Sequence, residues 1–208
     1  MSTNREREEV KSVLEEAARV QADLTQMTEE LLEAGEKIGE RIGAGGRLLI
    51  FGNGGSAAQA QHLAAEMVGR FEAERAPIPA LELTTDSSIL TAVGNDYGFE
   101  EIFARQVRGL GRAGDIVLAI STSGDSPNVL RALDVAREMS LPTIALTGRT
   151  GGKLRERVDL CLAVPSDSTP RIQEAHLVLG HILCRLIESA VGEARKVKKA
   201  KFAREPNP

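Results

Sequence analysis

Five short apolar runs separated by helix-forming segments limit this chain to one kind of architecture. Arg47 to Phe51, Ala80 to Leu83, Ile116 to Ser121, Thr143 to Leu146 and Leu160 to Val164 each have the length of a strand. Apolar runs without polar alternation suit strands covered on both faces, and strands alternating with helices pair in parallel. The expected fold is α/β: a five-stranded parallel sheet flanked by helices, whose ligands gather at the carboxyl ends of the strands. Before the first strand, Asn4 to about Ala44 carries Val10, Val13, Leu14, Ala17, Leu24, Met27, Leu31, Leu32, Ile38 and Ile42 at near-helical spacing. Two helices are expected there, breaking near Thr25 to Thr28. The last helix is expected from about Pro170, a residue suited to a first turn, to Glu193. The organisation is then a helical extension over 1–45, one α/β domain over 46–194, and a flexible basic tail over 195–208.

Composition narrows the partners. With 208 residues, 42% hydrophobic content and a net charge of −4, the chain can build one substantial core, and nothing global attracts nucleic acid or an anionic membrane. Aromatic residues make up 3% and tryptophan is absent, which argues against base-stacking surfaces. Cys161 and Cys184 are too few for a disulfide framework and lack CxxC spacing, so reduced thiols in a cytoplasmic protein are expected. The charged N-terminus does not read as a secretory signal, and no run is expected to span a membrane. The basic residues from Arg195 to Arg204 read as a solvated tail.

Local anion binding must come from loops and helix ends. The first candidate is Leu48 to Arg70, LLIFGNGGSAAQAQHLAAEMVGR, in which an apolar strand runs into Gly52, Asn53, Gly54 and Gly55 and then into a helix with Ser56 as its expected N-cap. The spacing matches neither the dinucleotide fingerprint nor a P-loop, so nucleotide binding is disfavoured. His62 and Glu66 lie four residues apart and share a helix face, a separation usable by metal ligands or by a carboxylate base beside an imidazole. A second loop follows another strand: Ser121, Thr122, Ser123, Gly124, Asp125 and Ser126 offer hydroxyls and amides before a helix starting near Pro127, a phosphate cradle needing no lysine. Asn95 and Asp96, within VGNDYGF, read as a third polar loop able to orient sugar hydroxyls. In RIQEAHLVLGH, His176 and His181 differ by roughly 140° around a helix, so they do not share a site and one of them is structural. Gln173 and His181 lie about 12 Å apart along the axis and converge only if both side chains reach toward the middle.

GNGGS, the HLAAE helix, GNDYGF, STSGDS and RIQEAHLVLGH, in this order, resemble the SIS (sugar isomerase) domain family, and within it the sedoheptulose 7-phosphate isomerases. The resemblance covers roughly residues 47–190 and implies a three-layer sandwich. It also implies a homotetramer with sites near subunit interfaces, and conversion of sedoheptulose 7-phosphate to D-glycero-D-manno-heptose 7-phosphate, which feeds nucleotide-activated heptose for lipopolysaccharide. By resemblance, Asn53, Gly54, Gly55, Glu66, Asn95, Asp96, Ser121, Thr122, Ser123, Ser126 and Gln173 bind substrate. His62, Glu66, Gln173 and His181 hold one zinc per subunit, and Glu66 and His181 are catalytic. Some members carry an acid just before the arginine of the last motif, where this chain has Pro170. Ketose to aldose conversion passes through an enediol and needs a carboxylate base and a group that shuttles oxygen protons, roles that suit Glu66 and His181. Two other classes share these loops: a non-enzymatic scaffold of the DnaA initiator-associating type, which departs at the positions of Glu66 and His181, and a sugar-phosphate-sensing module, which needs no base.

Overall fold

The structure, a computed structural model, describes residues 3–202. Five strands, β1 (Leu48–Gly52), β2 (Ala80–Glu82), β3 (Ile116–Ser121), β4 (Thr143–Thr147) and β5 (Leu160–Ala163), form one sheet in the order β2-β1-β3-β4-β5. All pairings are parallel. Each strand falls within a residue or so of its expected run; β1, β3 and β4 are buried throughout and leave an unbroken apolar signature, while the edge strands β2 and β5 are only partly buried.

Alternate residues of the three central strands feed two separate cores. Leu48 and Ile50 of β1 join Ile116, Leu118 and Ile120 of β3 on one face. That face is covered by α2 (Thr28–Gly43), α3 (Gly55–Val68) and α7 (Thr169–Phe202). Leu49 and Phe51 join Val117 and Ala119 on the other face, beneath α5 (Ile102–Leu110) and α6 (Pro127–Glu138). The result is the expected three-layer sandwich. α1 (Asn4–Asp23) begins at a capping box in which Thr3 and Glu6 bond each other's backbone amides. It ends in a 3₁₀ turn at Leu24–Met27, where the break was expected. The helix is fastened to α7 by Arg171, whose guanidinium donates to the Val13 carbonyl at 2.9 Å.

Two expectations need correction. α7 runs nine residues beyond Glu193, so helix extends into the region assigned to the tail, while Arg204, Pro206 and Pro208 lie outside the described residues. Its Thr169–Gly192 stretch is also long and apolar enough to cross a membrane, against the expectation that no run would be. Half of that stretch is buried inside the protein, which is the pattern of a core helix rather than of one facing lipid.

α2 and α7 approach closely because small residues meet there. A Cβ on Gly35 would lie 2.6 Å from the Leu186 Cβ, and one on Gly39 would lie 2.6 Å from the Ala190 Cβ. These pairs are each four apart on their helices, so they form one ridge-and-groove seam. Gly39→Val should therefore lower stability by roughly 1–3 kcal/mol through overpacking. Urea unfolding followed by circular dichroism measures it, and an unchanged midpoint would show that the seam yields.

Candidate active site

The strand order reverses between β1 and β3, so the loops that follow these two strands lie side by side at their carboxyl ends, where open α/β sheets bind ligands. After β1, Gly54 adopts φ +54°, which favours glycine, and is itself the N-cap of α3. Ser56, expected at that position, lies one residue inside the helix and is buried. Its amide bonds the Asn53 carbonyl at 2.9 Å, and the Ala57 and Ala58 amides bond the Gly54 carbonyl. These opening amides are thus spent on closing the turn, which weakens the first loop as an anion cradle.

The loop after β3 is better arranged for phosphate. The Ser121 and Ser126 hydroxyls face each other at 3.2 Å across it. The Ser121 hydroxyl also accepts from the Gly124 amide, and the Ser123 hydroxyl from the Asp125 amide. Ser126 precedes α6 as its N-cap, so the helix dipole points at the loop. Thr122 and Ser123 line a cleft of about 230 Å³, shared with Arg149, Thr150, Ser166 and Thr169. A larger cavity of about 430 Å³ lies at the opposite ends of the strands against Lys37, Arg41, Arg137 and Arg157, and none of the expected site residues lines it.

A residue absent from the sequence reading ties the two loops together. Asn128, buried in the first turn of α6, exchanges two hydrogen bonds of 2.8 Å with Asn53, amide to amide. The pair fixes the orientation of the Asn53 side chain. Nothing in the chain foretells a pairing across 75 residues; the only signal was an amide directly after the helix-starting Pro127.

The next group sits where α3 meets α7. A Cβ on Gly55 would fall 2.4 Å from Gln173 Nε2, so glycine there makes room for the Gln173 side chain. The Gln173 carbonyl accepts from Gln59 Nε2 at 2.6 Å. Farther along both helices, His62 Nε2 and His181 Nε2 stand 2.9 Å apart, and Glu66 Oε1 lies 3.6 Å from His62 Nε2. The Phe71 ring backs His181, with centroids 5.3 Å apart and planes inclined by 32°. His62 is exposed, while Glu66 and His181 are half-buried. The structure thus gathers His62, Glu66 and His181, and leaves Gln173 beside Gly55 at the start of α3.

The donor types suit zinc, the metal that the resemblance implies: two imidazole nitrogens and a carboxylate oxygen are ligands it takes at about 2.0–2.2 Å. Among the described residues no three His, Cys, Asp or Glu side chains are grouped closely enough to hold an ion unaided.

Asn95 and Asp96 depart from expectation. They occupy the last turn of α4 (Ser87–Tyr97) rather than a loop, exposed, with Asn95 Nδ2 bonded to Asp96 Oδ1 at 2.8 Å. Asp86 caps that helix by accepting from the Ile89 amide, and Gly98, at φ +93°, ends it. His176 is the structural histidine: it is buried, and its Nε2 donates to the Thr147 carbonyl at 3.1 Å while Nδ1 has no partner.

Burial pushes the His176 imidazole down to about 4, partly opposed by that hydrogen bond. Its unfolded counterpart titrates near 6.5, so below that pH the unfolded chain binds the extra proton and the folded chain does not. Stability from this residue is therefore intact above pH 6.5 and falls, by on the order of 3 kcal/mol, as pH drops toward 4. Denaturant unfolding between these limits should show a shallower decline for His176→Gln than for the parent, and equal slopes would contradict the assignment.

The chain matches the SIS domain family over residues 12–148. It is 49% identical over 193 residues to the phosphoheptose isomerase of Thermodesulfovibrio yellowstonii, covering 92% of this chain and 96% of that protein. It is 52% identical over 190 residues to that of Geotalea daltonii, covering 90% and 99%. Among solved structures, phosphoheptose isomerase GmhA from Neisseria gonorrhoeae superimposes with a TM-score of 0.83 at 45% identity, over 88% of this chain and 98% of that one. The Francisella tularensis phosphoheptose isomerase gives 0.86 at 38% identity, over 91% and 100%. With β1, β3 and their two loops arranged as described, the chain belongs to the SIS domain family and, within it, to the phosphoheptose isomerases.

Proposed function

We propose that this chain isomerises sedoheptulose 7-phosphate to D-glycero-D-manno-heptose 7-phosphate, supplying precursors for nucleotide-activated heptose and lipopolysaccharide. The observation that carries the reading is the convergence of Glu66 and His62 from α3 with His181 from α7, in a chain that also carries the Ser121 to Ser126 loop after β3. A scaffold or a sensor has a use for the loop but none for a half-buried carboxylate beside an imidazole pair.

The division of labour follows from the chemistry. The serine loop and the α6 N-terminus bind the phosphate, which fixes the distance from that end of the sugar to the reacting carbons. Asn53 and the Gly54–Gly55 backbone line the chain of hydroxyls, joined by Gln173. Asn95 and Asp96, at the exposed end of α4, serve as polar contacts for a substrate that spans beyond one chain. Glu66 takes a proton from the carbon next to the carbonyl and returns one to its neighbour, and His181 moves protons between the two oxygens. His62, Glu66, Gln173 and His181 would hold zinc, which when bound would polarise the carbonyl and stabilise negative charge on the enediolate.

The proposed assembly is a homotetramer with sites near subunit interfaces. Support comes from α1, which exposes Val10 at 61%, Val13 at 44% and Leu14 at 64%, an apolar stripe at helical spacing with no cover in the single chain. The proposed compartment is the cytoplasm, in keeping with Cys161 and Cys184, which stand as free thiols.

Two measurements test these readings. NMR of sedoheptulose 7-phosphate incubated with the protein, with and without chelator, should reveal the aldose product. Glu66→Gln and His181→Asn should each lower turnover by about 10²–10⁴-fold while leaving the fold intact. Near-parent turnover by Glu66→Gln would remove it as the base, and no aldose under any metal condition would favour a scaffold. For the assembly, light scattering should give the mass of four chains, and Leu14→Glu should reduce it; a monomeric parent would refute the tetramer.

A further inference from the structure

The segment between α3 and β2, Gly69–Pro79, has no regular structure, yet it forms the wall behind His181. A buried ion pair holds it. Glu188 lies seven residues after His181 on α7, two turns on and within about 20° of the same direction. Its carboxylate accepts from the amides of Phe71 at 3.0 Å, Glu72 at 3.2 Å and Ala73 at 3.1 Å, and from Arg75 Nε at 2.7 Å. Four donors occupy both oxygens of a side chain that is only 6% exposed. Burial pushes this carboxyl up, but the three amides and Arg75 outweigh it and hold it below the usual carboxylate range.

Arg75, 9% exposed, continues the network into α3. Its Nη2 donates to the Glu66 carbonyl at 2.8 Å, and its Nη1 to the carbonyls of Met67 at 2.9 Å, Gly69 at 3.3 Å and Ala76 at 3.3 Å. A guanidinium here satisfies carbonyls that the end of a helix leaves unpaired, and its charge opposes the negative end of the helix dipole.

We propose that Arg75 and Glu188 are positioning residues for the reaction: one ion pair sets the backbone of Glu66 through Arg75 and the ring of His181 through Phe71. This rests on the isomerase reading for its kinetic consequence, though not for its geometry. A buried ion pair adds little net stability over an apolar pair of equal volume. What it supplies here is orientation: two groups that must meet the same two carbons are referred to a single rigid reference, and small misplacements of such groups cost rate rather than affinity.

Glu188→Gln keeps the size of the side chain but turns an amide NH₂ toward backbone donors. It should lower kcat by about tenfold or more while KM moves less than about threefold, with cooperative melting retained. A second readout needs no turnover. The ring-proton NMR signals of His181, assigned by their loss in His181→Asn, should move in Glu188→Gln toward their positions in Phe71→Leu, because one change displaces the Phe71 ring and the other removes it. A parent that makes no aldose would defeat the isomerase reading and leave this test standing. If Glu188→Gln does not fold, Arg75→Lys keeps the charge but cannot bridge Glu188 and the α3 carbonyls together, and it should give the same two changes. Unmoved His181 signals in the folded variant overturn the proposal whatever its turnover, and parent-like kcat overturns its role in the reaction.

Discussion

The parallel pairing of β1 with β3 is the constraint on which the site depends. Leu48 to Gly52 lie in register with Ile116 to Ile120, so Asn53 and Ser121 leave the sheet side by side although 68 residues separate them in the chain. Because β2 lies outside β1, while β4 and β5 lie outside β3, the helices that follow β1 and β3 pass to opposite faces of the sheet. That parting opens the crevice and points the first turn of α6 at it. The positions of the serine loop and of helix α3 are therefore consequences of strand order.

Polar side chains then stiffen what strand order brings together. The Asn53–Asn128 exchange joins the two loops, and the Gly55–Gln173 contact joins the first loop to α7. From Gln173 the helix leads two turns to His181, which meets His62 and Glu66 of α3. Arg75 and Glu188 close the far end. The arrangement forms one connected line from the loops after β1 and β3 to the His62, Glu66 and His181 group, the proposed proton-transfer groups, with each neighbour held by at least one contact to a different element. Pre-organisation of this kind suits a reaction in which the substrate is anchored at one end and worked on at the other.

The central strands were legible because burial on both faces leaves unmistakable apolar runs, and the break between α1 and α2 because the helical spacing lapses there. His62 and Glu66 were legible through i,i+4 spacing alone, and His176 could be separated from His181 by helical rotation. Local end effects were harder to read. Ser56 looked like an N-cap, but Gly54 at positive φ starts the helix earlier; Asn95 and Asp96 looked like loop residues, but the Asp86 cap carries α4 past them. Asn128, Arg75 and Glu188 were invisible. Their partners lie 75 and 113 residues away, and neither local periodicity nor spacing encodes a contact at that range. Most of the fold is written in short-range patterns, while the residues that aim the site are written in tertiary pairings.

The central claim is that the β1–β3 crevice, and not the larger arginine-lined cavity beneath β3 and β4, is where a sugar phosphate is bound and worked on. A crystal structure with sedoheptulose 7-phosphate tests this most directly. The account predicts the phosphate on the Ser121 to Ser126 loop, and the first two carbons of the sugar within hydrogen-bonding or proton-transfer reach of Glu66 and His181. Phosphate held by Arg41, Arg137 or Arg157 at the opposite end of the sheet, with the crevice left to solvent, would contradict it.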